Sequence, residues 1–154
     1  MNDYMQRAIE LSREGMDTGE GGPFGAVIVQ NGRIIAEGFN RVIATNDPTA
    51  HAEVVAIRRA CEQVGRFDLS DCELYTSCEP CPMCLGAIYW ARPKKVYYAN
   101  TRFDAANIKF DDSFIYDEIS APMNQRTIPF EHIESPEAHA VFAAWANKTD
   151  KTRY

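Results

Sequence analysis

The dipeptide Asn31-Gly32 is the feature that most strongly constrains the fold of this 154-residue chain. It separates two apolar, β-rich segments, Phe24 to Val29 and Arg33 to Gly38. Asparagine and glycine tolerate the positive φ angles that a two-residue turn requires, so these segments predict a tight antiparallel hairpin. We therefore expect two neighbouring antiparallel strands early in the sheet.

Helices and strands alternate around this hairpin. A helix capped by Asn2 or Asp3 precedes it, and apolar residues at helical spacing predict another that begins near His51 and ends at Gly65. Further elements are predicted as a strand over 73–76, a helix over 80–90, a buried strand over 96–99, a helix over 111–119, a strand over 127–133 and a helix over 136–147. Because crossover helices follow a hairpin, we expect a mixed sheet with helices on both faces.

The composition excludes several classes of protein. The 45% of apolar and 25% of charged residues are typical of a soluble globular domain, and the length fits one domain. A net charge of −6 argues against nucleic acid as the main partner, because binding phosphates requires clustered Lys and Arg. The longest run of apolar residues and glycine covers only 83–91, whereas about 20 residues are needed to cross a bilayer, so no membrane partner is expected.

The cysteine content and the N-terminus predict a cytoplasmic protein. The first ten residues lack the basic start and apolar run of a signal peptide. Five cysteines, an odd number, favour reduced thiols or metal ligands over a disulfide framework.

Two short segments carry the residues from which we expect chemistry, His51-Ala52-Glu53 and Pro80-Cys81-Pro82-Met83-Cys84. Cys81 and Cys84 lie three residues apart at a helix start, so they share a face, and the helix dipole favours the thiolates that bind zinc. His51, at the start of another helix, supplies a third ligand and leaves the fourth tetrahedral position to water, as in catalytic sites. The segments therefore predict one zinc ion per chain.

Glu53 suits a different role from that of His51. Residues i and i+2 point about 200° apart in a helix, so Glu53 is not expected to share the metal ion with His51. A carboxylate beside a metal-activated water can take a proton from it and pass that proton to a leaving group. In this order, the two segments match H-x-E…P-C-x-x-C, the signature of zinc-dependent nucleobase deaminases.

Other interpretations of these residues remain open. Taken singly, His51 can be interpreted as a hydrogen-bonding residue at a helix start and Glu53 as a solvated carboxylate. The two cysteines can be interpreted as small buried apolar side chains. A structural zinc site is a sharper alternative, in which Cys78 completes a Cys3His set. A strand-to-helix turn between Cys78 and the other cysteines argues against that set.

Four segments resemble the bacterial guanine deaminases of the cytidine deaminase superfamily, and the resemblance extends over the whole chain. They are GGPFGAVIV, NDPTAHAEVVAIR, YTSCEPCPMCLGAIYWARP and FDDSFIYDEI. The resemblance implies an α/β fold, the three-layer α/β/α sandwich with a five-stranded mixed sheet, in a single deaminase domain over 1–154. In the family a C-terminal segment, here 134–154, crosses to the partner subunit, so the resemblance also implies a homodimer.

The resemblance implies a role for each matching residue. The zinc ligands are His51, Cys81 and Cys84, the catalytic residues are Glu53 and Asp112, and the substrate-binding residues are Phe24, Asn40, Ala52, Trp90 and Tyr154. Asn40 hydrogen-bonds the purine, and the aromatic rings of Phe24 and Trp90 line it. Without the resemblance, Asp112 is a candidate helix cap and Tyr154 an ordinary frayed terminus.

The implied reaction is hydrolytic deamination of guanine to xanthine and ammonia. Zinc activates the attacking water, and Glu53 moves its proton to a ring nitrogen and then to the departing amino group. One alternative is a tRNA adenosine deaminase, which needs a basic surface for the anticodon stem. Others are a cytosine or cytidine deaminase and a structural zinc protein without turnover.

Overall fold

The computed structural model describes residues 2–154, which form two compact units. The unit that ends at Phe114 contains α1 (Asp3–Asp17), β1 (Gly25–Gln30), β2 (Arg33–Phe39), α2 (Val42–Thr45), α3 (Ala52–Val64), β3 (Cys72–Cys78), α4 (Pro82–Ala91), β4 (Lys95–Asn100) and α5 (Arg102–Asn107). Helix α6 (Ser113–Ser120) spans the boundary, and the unit from Ile115 to Tyr154 adds a 3-10 turn (Met123–Gln125) and α7 (Pro136–Asn147). No helix within residues 2–154 is long and apolar enough to cross a membrane.

The sheet is mixed, as predicted, and has the strand order β2-β1-β3-β4. Strand β1 lies antiparallel to both β2 and β3, whereas β3 and β4 run parallel. The hairpin prediction is confirmed, since Asn31 and Gly32 have φ angles of 49° and 73°. The Tyr4 hydroxyl donates to the Gly32 carbonyl over 2.8 Å, which ties α1 to this turn.

The predicted fifth strand over 127–133 is wrong, because the described part of the chain forms a four-stranded sheet. The segment is irregular, and the backbone N–H and hydroxyl of Thr127 donate to the Glu118 carboxylate instead of to a neighbouring strand. Pro129 has no backbone N–H and so cannot donate a hydrogen bond to a neighbouring strand. The local sequence of 127–133 was therefore insufficient to predict strand pairing.

Strand β1 separates two apolar cores. Ala26 and Ile28 belong to a core that includes Ala56 of α3 and Ile88 of α4. Val27 and Val29 point to the opposite face, where they join a core with Leu11 of α1. This alternation places helices on both faces of the sheet, which confirms that prediction.

Strand β4 is an edge strand, so the prediction of a buried strand over 96–99 is wrong. It pairs with β3 alone in the described sheet, and Tyr98 is 53% exposed. A short apolar run indicates a buried strand only if both faces and both edges are covered. The helix that follows, α5, was not predicted, although Thr101 and Asp104 form a capping box at its start.

Candidate active site

Two helix starts bring the three predicted metal ligands together. His51 is the N-cap of α3, and its carbonyl accepts from the Val55 N–H over 2.9 Å. Cys81 is the N-cap of α4, where Pro82 loses no helical hydrogen bond because the first N–H groups of a helix have no partner. Cys84 follows in the first turn of α4, so it lies on the same face as Cys81.

The ligand atoms have the spacing that tetrahedral zinc requires. His51 Nδ1 lies 3.5 Å from Cys81 Sγ and 3.5 Å from Cys84 Sγ, and all three atoms are within 4.8 Å of one another. Zinc bonds of about 2.3 Å to sulfur and about 2.05 Å to nitrogen, at tetrahedral angles, place the two atoms about 3.6 Å apart. The three residues are therefore positioned to bind a metal ion, and their donor set fits zinc.

The electrostatics of the cluster favour a thiolate at Cys81. A hydrogen bond from the Cys84 thiol, together with hydrogen bonds from His51 and the Cys84 backbone, lowers the pKa of Cys81 to about 4 despite burial. The same shared proton, with burial and the nearby Glu53 carboxylate, raises the pKa of Cys84. The cluster thus presents a thiolate, the form that binds zinc.

Glu53 is a buried carboxyl beside the cluster, with 6% of its surface exposed. Its Oε1 accepts from the Thr76 hydroxyl over 3.0 Å, and its Oε2 lies 3.4 Å from Cys84 Sγ. Burial raises the pKa of Glu53. Hydrogen bonds from its own backbone, Cys84 and Thr76 lower this pKa and so offset part of the effect of burial. Glu53 is not a member of the ligand cluster found among residues 2–154. Its carboxyl can therefore exchange a proton next to the metal position.

Cys78 lies outside that cluster in the described chain, which argues against the Cys3His alternative. It ends β3, and its thiol contacts the Thr101 carbonyl at 3.6 Å. Burial raises the pKa of Cys78 to about 11, so the side chain is a thiol. The cluster offers three protein ligands for a metal ion, which would leave a fourth tetrahedral position for water or substrate.

Asn40 and Phe24 are adjacent through the backbone. The Asn40 N–H donates to the Phe24 carbonyl over 3.0 Å, and the buried Asn40 side chain accepts from the Val42 N–H at Oδ1 over 3.1 Å. One lone pair of that oxygen and the amide N–H groups are left to recognise a ligand. The Phe24 ring packs edge-on against Phe110, with 5.0 Å between centroids.

The structure places the other predicted site residues in different surroundings. Ala52 is fully buried between His51 and Glu53. Asp112 is half-buried. Burial, and to a lesser extent the negative charge of Cys81, raise the pKa of its carboxyl, so Asp112 lies in the electrostatic field of the cluster. Trp90 is 64% exposed in the last turn of α4, about 9 Å along the axis from Cys84.

Tyr154 belongs to the unit from Ile115 onward and is exposed. The role of Tyr154 in substrate binding stays a prediction. The substrate-binding roles of Phe24, Asn40, Ala52 and Trp90 and the catalytic roles of Glu53 and Asp112 stay predictions as well. Sequence reasoning missed two neighbours of the site, Thr76 and Phe110. A hydroxyl in the otherwise apolar strand β3 and the aromatic residue before Asp111-Asp112 were the signals that could have identified them.

Comparison with known proteins assigns the family. Residues 1–100 match the family described as cytidine and deoxycytidylate deaminase zinc-binding region. The chain is 60% identical to the guanine deaminase of Bacillus subtilis over 98% of its length and 97% of that protein. A crystal structure of the B. subtilis guanine deaminase superposes with a TM-score of 0.97 and 59% identity, covering 100% of this chain and 99% of that one.

A second relative matches less of the chain. The tRNA-specific adenosine deaminase of Agrobacterium fabrum is 44% identical over 95 residues, which cover 62% of each protein. The match to the B. subtilis guanine deaminase therefore covers much more of the chain, 98% against 62%. On these matches and on the geometry of its metal-ligand cluster, the chain belongs to the cytidine and deoxycytidylate deaminase family of zinc-binding proteins, in the branch that includes the B. subtilis guanine deaminase.

Proposed function

We propose that this chain catalyses the zinc-dependent hydrolytic deamination of guanine to xanthine and ammonia. The observation that carries the proposal is the 60% identity to a guanine deaminase over 98% of the chain. The match to a tRNA-specific adenosine deaminase covers only 62%. A net charge of −6 also suits a small neutral base better than a tRNA.

The metal ligands in this proposal are His51 Nδ1 and the sulfurs of Cys81 and Cys84. Zinc at a site with three protein ligands supplies Lewis-acid activation of water. The two helix N-termini at which the ligands lie add positive potential to the same region. The chain thereby fixes the ligands on rigid elements.

Glu53 performs the proton transfers. Its carboxyl takes a proton from the attacking water and donates it to a ring nitrogen. It then moves the remaining proton of the added hydroxyl group to the amino group at C2, and the C–N bond breaks as the C2 carbonyl forms and ammonia leaves. Water thus supplies the oxygen of xanthine, and guanine loses its exocyclic nitrogen. The burial of Glu53 keeps this carboxyl away from competing bulk water.

The purine is bound by residues around this cluster. Asn40 hydrogen-bonds the base through its amide and its remaining carbonyl lone pair, and Phe24 and Trp90 contact the ring. Ala52 lies against the base, and Asp112 provides a second carboxyl within the field of Cys81. A site built for hydrogen bonds rejects bases that leave its polar groups unpaired.

The test is ammonia release by the zinc-loaded protein with guanine, adenine, cytosine, their nucleosides and a tRNA anticodon stem-loop. We expect kcat/KM for guanine to exceed that for each other compound by at least about 100-fold, because unpaired polar groups in a hydrogen-bonding site can impose about 10⁴- to 10⁵-fold discrimination. Faster deamination of the stem-loop than of guanine would assign the tRNA function instead. Zinc binding without turnover of any compound would assign a structural role.

We propose further that the chain is one deaminase domain over 1–154 and a homodimer, with 134–154 exchanged with the partner. Exposed apolar residues on α4 and β4 support a covering subunit, namely Leu85, Tyr89, Trp90 and Tyr98. Gly86 lies among them in mid-helix, and an added Cβ there would meet no atom within 4 Å. Sedimentation of Leu85→Glu as a monomer, beside a dimeric wild type, would agree with this assignment.

The cytoplasm is the proposed location. The five cysteines form no disulfide bond in the structure, which suits a reducing compartment. Cell fractionation checks the assignment.

A further inference from the structure

Thr76 is a polar residue on an apolar face of the sheet. It is 1% exposed in β3, on the same face as Leu74, and pairs in register with Ala26 of the neighbouring strand. A buried hydroxyl costs free energy unless it is hydrogen-bonded, and an apolar side chain of the same size, valine, would fill this position. The Thr76 hydroxyl is hydrogen-bonded, because it donates to Glu53 Oε1 over 3.0 Å.

The contact leaves the two oxygens of Glu53 in different surroundings. Oε1 faces the strand, whereas Oε2 lies 3.4 Å from Cys84 Sγ, at the metal-ligand cluster. The terminal torsion of a glutamate is broad, so a carboxyl without a partner would rotate away from one fixed orientation. The contact to Oε1 therefore adds to the hydrogen bonds from Cys84 and the Glu53 backbone in fixing which way Oε2 points.

Thr76 is a rigid partner for this carboxyl. Its backbone is held in the ladder between Ala26 of β1 and Tyr98 of β4, and its branched side chain has restricted χ1. A hydroxyl can also donate to a carboxylate and accept from a carboxylic acid. The hydrogen bond between Thr76 and Glu53 can therefore form in both protonation states of Glu53.

We propose that Thr76 is a positioning residue for Glu53, which anchors Oε1 on the sheet so that Oε2 faces the metal position. The inference rests on the proposed role of Glu53 in proton transfer. In this proposal Thr76 acts only through Glu53 and contacts neither metal nor substrate. Its loss should affect turnover much more than substrate binding, because the carboxyl is misdirected but the purine contacts are intact.

Three variants test the proposal in the zinc-loaded protein. Thr76→Val removes the hydroxyl at nearly constant shape, and we expect kcat for guanine to fall at least about tenfold, since small misplacements of a reacting group cost up to about 100-fold. Its KM should stay within about twofold. Thr76→Ser keeps the hydroxyl and should recover kcat to within about threefold of the wild type.

Ser77→Ala is the matched control, because it also deletes a buried hydroxyl from β3. The Ser77 oxygen accepts from the Gly25 N–H over 3.0 Å, whereas the side-chain hydrogen bonds of Glu53 go to Thr76 and Cys84. This variant should lose stability similar to that of Thr76→Val while its kcat stays within about twofold of the wild type. A drop in kcat for both variants in proportion to their melting temperatures would overturn the proposal.

Crystal structures of the zinc-loaded wild type and Thr76→Val provide a readout independent of activity. We expect the Glu53 carboxyl to keep its orientation in the wild type and to rotate or become disordered in Thr76→Val, at unchanged zinc content. An unmoved carboxyl overturns the inference. If the wild type deaminates another base instead of guanine, the proposed function fails, and displacement of Glu53 with lower turnover of that base still supports the role of Thr76.

Discussion

At the scale of single residues, the proposed role of the Glu53 carboxyl predicts that metal binding and turnover can be separated. Glu53→Gln keeps the size of the side chain and removes its capacity to accept a proton. We expect this variant to bind zinc and fold normally but to lose at least about 100-fold in kcat, the usual contribution of a general acid/base group. Steady-state ammonia release and zinc analysis of the purified variant measure the two effects.

Glu62→Gln provides the control for that substitution, because it makes the same change at an exposed position of α3. It should leave kcat within about twofold of the wild type. If Glu53→Gln retained more than about a tenth of the wild-type kcat, Glu53 would not be the proton-transfer group.

The number of protein ligands is a second residue-scale question. Cys81→Ala removes a ligand and should abolish most zinc binding. Cys78→Ala should retain about one zinc per chain, since a catalytic site has three protein ligands and Cys78 lies outside the cluster in the described chain. Metal analysis after gel filtration distinguishes the two, and equal loss of zinc would indicate a closed Cys3His site.

The metal cluster could be predicted from the sequence, but the support of Glu53 could not. Ligand type and the i, i+3 spacing of Cys81 and Cys84 are local properties, so they are visible in one segment. The Thr76 contact joins residues 23 positions apart. It depends on the face of β3 that points toward α3, which only the register of the sheet determines.

At the scale of elements, an ion pair joins the first helix to the edge of the sheet. The Arg7 guanidinium donates to both oxygens of Glu37, over 2.8 and 2.9 Å, and these hydrogen bonds hold the pKa of Glu37 below its ordinary value. A carboxyl with a lowered folded pKa stabilises the protein above its unfolded pKa, about 4.3, and loses this effect as pH falls.

Glu37→Gln should therefore destabilise the protein mainly above about pH 5. The two side chains are 30% and 37% exposed, so solvent screening limits the loss to about 1 kcal/mol at neutral pH. Urea unfolding at several pH values measures it, and the difference from the wild type should shrink toward pH 3. Glu10→Gln, at a longer and more exposed contact with Arg7, is the control, and equal effects would contradict the assignment.

The hairpin turn gives a second prediction for an element. Gly32 has a φ of 73°, so Gly32→Ala should lower the free energy of unfolding by about 1 kcal/mol through backbone strain. Asn31→Gly, in the same turn, should change it by less than about 0.5 kcal/mol, because glycine accepts the φ of 49° found there. Similar losses in both variants would show that the turn conformation is not the cause.

Local signals predicted elements well, whereas pairing and exposure were predicted less well. The hairpin, the start of α3 and the range of α7 follow from turn residues, caps and helical spacing. The strand over 127–133 failed because a strand requires a neighbouring edge, and β4 proved exposed because an apolar run does not reveal which edge it occupies.

At the scale of the whole molecule, the proposed exchange of the tail would let one subunit complete the site of another. Lys151 Nζ donates to the carbonyls of Trp145 and Ala146 at the end of α7, so a test of the tail should keep that residue. Deletion of 152–154 should leave zinc content and melting temperature nearly unchanged. If Tyr154 closes a purine site, kcat/KM for guanine should fall at least about tenfold, equivalent to about 1.4 kcal/mol.

Mixing two variants of low activity then identifies the subunit that receives the tail. Glu53→Gln has an intact tail, and the protein shortened by 152–154 has an intact Glu53. If tails are exchanged in a twofold dimer, a mixed dimer contains one complete site, and random reassortment restores about a quarter of the wild-type activity. A tail that serves its own subunit restores nothing, and full activity of the shortened protein alone would show that the tail takes no part in the reaction.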